Sequence, residues 1–222
     1  LSGRMSSPDA IVTISSQHLV VAGVAVEDIA AAGRYRDGTV EIEQARAALL
    51  GGAVGARGTL TADDGTGEPY IELRGSVSSI DLAELAALGW AEALAGTASL
   101  NDIVLVSRGG RNSGELLLSY DNVRYGEIAL GSGAGGLLVR DEKAYVTLSS
   151  PEMGYGLSGE VELGGEGHRI DGDILLSGLR GDALVAGPAG RYLPLKLDGP
   201  IHVSGSIPEV DIDGIVGLTA AE

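Results

Sequence analysis

Three glycines in the sequence have the spacing used by phosphate-binding loops. Gly131, Gly133 and Gly136 read G-x-G-x-x-G, a pattern that in nucleotide-binding proteins joins a strand to a helix whose N-terminus faces the phosphates. Here the chain continues instead with a short apolar segment, a polar turn and another run of strand formers. With 36 glycines in 222 residues, chance alone supplies such a triplet about once. The motif is predicted to lie in a β-hairpin, and a nucleotide site is not indicated.

A second motif resembles the start of a calcium-binding loop. Glu209, Asp211 and Asp213 alternate with apolar residues, and Gly214 is the sixth residue. Such a loop needs a bidentate carboxylate at its twelfth position, where this chain has Ala220. A strand with its acids facing water explains the same residues, so neither a metal nor another cofactor is predicted.

Catalytic groups are scattered along the chain. The histidines, His18, His168 and His202, fall on different predicted segments, so a shared metal site would require coincidence. The Ser-Gly pairs at Ser158 and Ser204 lack the strand-to-helix elbow that exposes a nucleophilic serine. There is no cysteine, hence no thiolate ligand or thiol nucleophile. We therefore expect a protein that is not an enzyme.

The composition predicts a folded chain with an aliphatic interior. Hydrophobic residues make up 44 % of the sequence, yet it has no Phe and a single Trp. The net charge of −16 repels phosphate backbones, which argues against nucleic acid and anionic membrane surfaces as partners. The sequence shows no 18-residue apolar run, no signal peptide and no initiator Met, and we interpret it as a piece of a longer protein.

Apolar and polar residues alternate with a period of two through most of the chain. This pattern is typical of strands that expose one face to water, and turn signals such as Asp37-Gly38, Asp64-Gly65 and residues 164–167 separate the strands. A mainly β fold is predicted, a long antiparallel meander of a dozen or more strands. The predicted strands include 9–16, 29–35, 40–43, 54–62, 70–77, 116–120, 123–130, 155–163, 170–176, 193–197, 201–207 and 210–216.

One segment has helical spacing instead. Residues 79–95, SIDLAELAALGWAEALA, begin with Ser79 as a plausible N-cap, and we predict a helix of two to four turns interrupted near Gly89. Its apolar residues would cover the mouth of a groove in the sheet: Leu82, Leu85, Leu88 and Trp90. A weaker, Gly- and Pro-interrupted echo follows a strand about a hundred residues later, which predicts a second short helix at most.

These two places suggest an internal repeat. A short Gly-polar signature starts near residues 1, 96 and 198, a period of about 100 residues that suits a multi-strand sheet module. We therefore divide a single elongated unit, residues 1–222, into repeats 1–97 and 98–197, with a third beginning near residue 198.

The repeats resemble those of the TamB and AsmA-like family. The similarity covers nearly the whole chain and is carried by a pattern: Pro8 after the Gly3 signature, a bend at residues 19–24, the Asp37-Gly38 hairpin, and a glycine-rich exit at residues 51–60. The chain departs from the family in its scarcity of Phe, and it lacks the family's membrane anchor and terminal domains.

The resemblance implies a sheet curled lengthwise into an open, taco-like groove with an apolar lining and a polar exterior. It implies a location in the periplasm, as part of an inner-membrane-anchored protein that spans the envelope. The expected partners are phospholipid acyl chains, carried between the two membranes, and an outer-membrane β-barrel that works with the full-length protein.

Alternating strands supply the candidate groove lining. The candidates are Val12, Ile14, Ile71, Leu73, Leu116, Leu118, Leu157, Val161, Leu163, Ile174, Leu176, Ile201, Val203, Val210 and Ile212. The same alternation is found in an ordinary sandwich whose apolar faces close on each other. Two further hypotheses therefore stay open: a structural or adhesive β-repeat with a closed core, and a chaperone surface that pairs outer-membrane strands with an exposed sheet edge.

Overall fold

In a computed structural model of the chain, nearly every described element is a β-strand. The structure describes residues 9–21, 23–62, 67–88, 93–163, 169–184, 195–206 and 209–220. The strands are β1 Asp9–Val21, β2 Val24–Arg36, β3 Thr39–Leu49, β4 Gly52–Thr61, β5 Tyr70–Asp81, β6 Leu94–Arg108, β7 Arg111–Tyr125, β8 Ile128–Arg140, β9 Lys143–Ser150, β10 Tyr155–Glu162, β11 Arg169–Arg180, β12 Leu195–Ser206, β13 Glu209–Gly214 and β14 Gly217–Ala220. Two short helices, α1 Leu82–Ala87 and α2 Gly181–Leu184, follow β5 and β11.

All fourteen strands belong to one sheet. Strands β1 to β13 lie in sequence order, each antiparallel to the next, and β14 pairs with β12 just beyond β13. The sheet is not closed into a barrel, because β1 and β13 form its two opposite edges. This arrangement confirms the predicted antiparallel meander.

Tight turns with left-handed backbone connect several of the strands. Asp37 and Gly38 both have positive φ, as do Asp141 and Glu142, which is the geometry that two-residue hairpins require. The predicted strand 123–130 is wrong, because β7 ends at Tyr125 and a turn at Gly126 (φ 59°) leads into β8. Apolar residues on both sides of that turn concealed it in the sequence pattern.

The predicted helix 79–95 is also corrected. Ile80 and Asp81 still pair with β6, so the helix begins at Leu82, and residues 94 and 95 belong to β6. The N-cap is Asp81 rather than Ser79: its carboxylate accepts a hydrogen bond from the Ala83 backbone N–H at 2.9 Å. Trp90 lies outside the described residues.

Both helices lie at the same end of the sheet. They follow β5 and β11, and odd-numbered strands of an antiparallel meander all run in one direction. We call this the helix end. The helices begin at Leu82 and Gly181, a separation that fits the predicted period of about 100 residues, which stays a prediction.

Side chains complete the hydrogen bonding of three β-bulges near the helix end. In each case the backbone N–H of the bulge residue donates to an oxygen on the neighbouring strand: Ser79 to Ser99 Oγ (3.0 Å), Asn122 to Ser132 Oγ (3.1 Å) and Gly178 to Asp198 Oδ1 (2.6 Å). Two of these bulges lie three residues before a helix, and their acceptors lie 20 residues further along the chain. Bulges bend a strand and increase its twist, so the sheet is curved here.

The buried core is small and sits at the helix end. One cluster packs around Val77, Ile80 and Val123, beneath α1. A second packs around Met153, Leu176 and Leu179, and α2 contacts β8 as well as β11 and β12. Since β8 and β11 are three places apart in the sheet, this contact requires the sheet to curve toward α2.

Candidate functional site

Strand pairing assigns each side chain to a face of the sheet. Directly opposed residues of antiparallel strands point to the same side, so a row of pairs can be followed from edge to edge. One row crosses thirteen strands and contains only apolar residues and glycine: Val12, Gly33, Ile42, Gly58, Leu73, Leu105, Gly114, Val139, Ala144, Val161, Ile170, Gly205 and Val210. We call the side to which this row points the apolar face.

All but one of the other candidate lining residues lie on the same face. A second row joins Leu116, Val203 and Ile212, and a third joins Leu118, Leu157, Ile174 and Ile201. Ile14, Ile71 and Leu176 pair with the apolar-face residues Ala31, Leu60 and Tyr155. Leu163 follows the end of β10, where its N–H donates to the Glu142 carbonyl at 2.7 Å.

The opposite face carries the charges. A neighbouring row there reads Ile11, Arg34, Glu41, Thr59, Glu72, Val106 and Ser113. By contrast, the thirteen-residue row and the rows through Leu116 and Leu118 contain no Asp, Glu, Lys or Arg. Charge is therefore segregated to one side of a single protein layer.

Much of the apolar face is in contact with solvent. The accessible surface of the chain is 14452 Å², against about 9,500 Å² for a compact protein of its mass, 22.5 kDa. Exposure is greatest toward the edges, where Ile14 is 59 % and Ile212 73 % exposed, whereas Leu176 near α2 is 8 % exposed. Exposed apolar surface of this extent is typical of a binding site.

Helix α1 lies on the apolar face at the helix end. Leu82 is buried against Val77, Ile80 and Ala98, and Leu85 packs on the same cluster. Leu88, the C-cap residue, is more exposed, at 37 %. Of the predicted helix residues, Leu82 and Leu85 thus pack against the sheet, and the capping of a groove stays a prediction.

Two tyrosines that the sequence analysis did not single out form a polar bridge on this face. Tyr120 of β7 and Tyr155 of β10 place their hydroxyl oxygens 2.9 Å apart. Tyr120 also donates to the Ser149 carbonyl at 3.0 Å, and Tyr155 donates to the Leu130 carbonyl at 2.9 Å. Burial, followed by the hydrogen bond with Tyr155, raises the pKa of Tyr120, so its phenol stays protonated at physiological pH.

Side chains of this region donate hydrogen bonds to two backbone carbonyls of β8 that lie beyond the point where β8 stops pairing with β9. Strand β9 pairs with β8 only from the Ala134–Ser149 pair onward, which leaves the Leu130 and Ser132 carbonyls beyond the ladder. Tyr155 bonds the first of them, and the fully buried Ser150 hydroxyl donates to the second at 2.7 Å. A sequence signal for this network was the pair of tyrosines at strand positions facing the apolar side.

The G-x-G-x-x-G glycines belong to the same region. Gly131 has φ 73° and lies against the Met153 side chain. Gly133 lies beneath the Tyr120 ring and against the Ser149 carbonyl, where a Cβ atom would collide with both. Two of the three glycines thus make room for side chains above the sheet, which gives the motif a packing role.

Titratable groups on the polar face form cross-strand pairs. His202 Nδ1 lies 3.0 Å from Asp173 Oδ1, and on its other side Asp213 is its direct cross-strand partner. The hydrogen bond with Asp173, and then the charges of Asp171, Asp173 and Asp213, raise the pKa of His202. Asp211 and Asp213 lie in β13, and no group of three or more potential metal ligands occurs among the described residues.

Within the described ranges, neither helix has the length and hydropathy needed to cross a membrane. Comparisons with protein-family models, with curated proteins and with solved structures found no match to this chain. The fold defines the class of protein: a single-layer antiparallel β meander with one apolar and one charged face.

Proposed function

We propose that the apolar face binds the acyl chains of phospholipids, and that the curved sheet is a groove-forming module for moving lipid between two membranes. The observation that carries the proposal is the thirteen-residue row without a polar side chain that runs from Val12 to Val210. Acyl chains match such a surface, because each methylene removed from water contributes about 0.8 kcal/mol.

The residue sizes on the face favour a linear apolar ligand. Ala31, Ala45, Ala56 and Gly75 are directly opposed on β2 to β5, and together they form a shallow furrow about 14 Å long across the strands. Larger side chains such as Ile42 and Val77 flank it. An extended hydrocarbon chain lying across the strands would fill this furrow, with its polar end in water.

The helices and the tyrosine bridge supply the closed side of the groove in this proposal. Helix α1 covers the face above Val77 and Ile80, and the α2 contact with β8 draws the sheet inward. Passive transfer needs no catalytic group, so the protein acts without chemistry. As the resemblance implies, the module would work in the periplasm within an anchored protein that meets an outer-membrane β-barrel.

The closed-core alternative accounts less well for the exposed face. A sandwich core needs a second sheet against the first, and the described strands form one sheet. The chaperone alternative uses a sheet edge rather than a face, so it predicts binding that is insensitive to charge on the apolar face.

The test is native mass spectrometry, with lipid extraction, on the chain purified without detergent from a bacterial host. The variant Leu118→Asp/Val161→Asp places two carboxylates on the apolar face, where an unpaired charge strongly disfavours hydrocarbon. The matched control is Leu117→Asp/Leu138→Asp, because both leucines are exposed on the charged face, at 54 % and 43 %.

We expect phospholipid masses with the wild type and the control, and their loss with the apolar-face variant while its circular dichroism is unchanged. A folded wild-type protein that carries no lipid, under conditions in which a known lipid carrier keeps its cargo, would contradict the proposal. Equal loss in both double variants would also contradict it, since the two faces would then be equivalent.

A further inference from the structure

One histidine lies among four aspartates on the charged face, where β11, β12 and β13 pair. His202 of β12 is the direct cross-strand partner of Asp173 on β11 and of Asp213 on β13. The neighbouring row of the same three strands reads Asp171, Ser204 and Asp211. Direct partners have their Cβ atoms about 5 Å apart. Of these six side chains, only the imidazole can become cationic.

Fixed positive charges lie further from this row. On β11, Arg169 comes four residues before Asp173, which is about 13 Å along the strand. On β12, Lys196 comes six residues before His202, about 20 Å away. Strand β14, which also pairs with β12, has no titratable side chain. Positive charge within the row therefore depends on protonation of the imidazole.

Two further acids near the row are already hydrogen-bonded. Glu160 of β10, opposite Asp171, accepts a hydrogen bond from Lys143 Nζ at 2.7 Å. Asp198, four residues from the histidine on β12, accepts one from the Gly178 backbone N–H at 2.6 Å. The carboxylates that act most directly on the imidazole are therefore those of β11 and β13.

The protonation of His202 follows the pH of the solvent. Its side chain is 47 % exposed, and Nδ1 lies 3.0 Å from Asp173 Oδ1. In the protonated ring Nδ1–H donates to that carboxylate, and the positive charge also attracts Asp213 from the other side. The hydrogen bond with Asp173, followed by the charges of the neighbouring aspartates, raises the pKa of His202. In the neutral state the row retains two carboxylates and has no cation.

Strand β13 contributes to both faces of the sheet. Asp211 and Asp213 lie on the charged face, whereas Val210 and Ile212 belong to rows of the apolar face. The strand has 6 residues, against 12 in each of β11 and β12, so few backbone hydrogen bonds hold it to β12. A change of charge on one face therefore acts on a strand that also supplies the other face.

We propose that His202 is a pH-sensitive contact that strengthens the pairing of β12 with β13 when its imidazole is protonated. This contribution is fully present below the unfolded-state value of about 6.5 and is lost as pH rises through the higher folded-state value. Strand β13 then separates from β12 more often, and Val210 and Ile212 leave the apolar face with it. The inference depends on strand pairing and charge, and it holds whether or not the apolar face binds lipid.

Hydrogen exchange of the backbone amides of residues 210–213, at pH 5.5 and at pH 8.5, tests this contact. Protection factors remove the intrinsic effect of pH on exchange. We expect protection in the wild type to be about two- to fivefold greater at pH 5.5, the range of an exposed ion pair. His202→Gln should show the lower value at both pH values. His18→Gln is the matched control, because His18 is an exposed histidine on β1, and it should behave like the wild type.

Two further measurements locate the effect. Amides of β4 and β5, which contain no histidine, should keep the same protection at both pH values. Asp213→Asn removes the carboxylate that faces His202 from β13, so it should reduce the pH effect on residues 210–213.

A wild-type β13 whose protection does not change with pH overturns the proposal. So does an equal change in His202→Gln, a full pH effect in Asp213→Asn, or an equal change in β4 and β5, which would indicate global unfolding. No lipid is present in these measurements, so failure here is distinct from failure of the proposed function.

Discussion

The hydroxyl oxygens of Tyr120 and Tyr155 lie 2.9 Å apart although two other strands separate β7 from β10 in the sheet. Three strand spacings amount to about 14 Å, so the two side chains lean toward each other over β8 and β9. The two hydroxyl protons are shared among three short oxygen–oxygen contacts. One contact joins the two hydroxyls, and each hydroxyl also contacts a backbone carbonyl. The bridge ties four strands together on the apolar face.

Removing either hydroxyl of this bridge should destabilise the protein. Tyr120→Phe and Tyr155→Phe are each expected to lower the free energy of unfolding by about 0.5–1.5 kcal/mol, because each removes a hydrogen bond to a backbone carbonyl, that of Ser149 or that of Leu130. Urea unfolding of the single and double variants gives a double-mutant cycle, in which we expect non-additive losses. Tyr145→Phe, on the exposed charged face, is the control, and additive losses would mean that the hydroxyls are not coupled.

Substitution by alanine should destabilise the protein at one glycine of the G-x-G-x-x-G motif and have little effect at another. A Cβ on Gly133 would meet the Ser149 carbonyl and the Tyr120 ring, whereas one on Gly136 has its nearest neighbour, the Leu116 carbonyl, at 3.5 Å. We expect Gly133→Ala to cost about 1–3 kcal/mol and Gly136→Ala to change stability by less than about 0.5 kcal/mol. Thermal unfolding measures both, and equal effects would refute the packing role of Gly133.

The side-chain acceptor at a bulge should contribute measurably to stability. Ser99→Ala removes the oxygen that accepts the Ser79 N–H at 3.0 Å, and we expect a loss of about 0.5–1.5 kcal/mol. Hydrogen exchange should also speed up at the Ser79 amide. Ser113→Ala, on an exposed position of β7, is the control. An unchanged exchange rate at Ser79 in the Ser99 variant would show that water replaces the hydroxyl at no cost.

Stability should depend on pH through His202. Its folded-state pKa is raised by the hydrogen bond to Asp173 and by the neighbouring charges of Asp171 and Asp213. Protonation therefore favours the folded state: the contribution is fully present below the unfolded-state value of about 6.5 and is lost as pH rises through the higher folded-state value. Lys196 and Asp198 are the other charged groups on its own strand.

The measurement is the urea midpoint of the wild type and of His202→Gln at pH 5.5 and at pH 8.5. We expect the wild type to exceed the variant at pH 5.5 and the two to converge at pH 8.5. NMR titration of the imidazole gives the pKa directly. A value at or below that of a model histidine, or a difference that grows with pH, would contradict this assignment.

Much of the fold follows from local sequence. Side chains of a strand alternate with a period of two, so residues such as Leu116, Leu118, Val161 and Ile174 could be assigned to a common face without knowledge of which strands pair. The turn at Asp37-Gly38 was equally local, because its residue types tolerate left-handed backbone. Element boundaries were less well predicted, since apolar residues flank the turn at Gly126 on both sides and the capping choice between Ser79 and Asp81 depends on where β5 leaves the sheet.

The sequence by itself determined that this chain is an antiparallel meander with apolar residues on one side and charges on the other, because alternation and turn chemistry act over a few residues. Only the tertiary structure decided that all strands form one open sheet, that the thirteen-residue apolar row is continuous, and that Tyr120 meets Tyr155 over two intervening strands. These features depend on register and on bulges, which are set by interactions between residues far apart in the chain, and a period-two pattern carries no information about them.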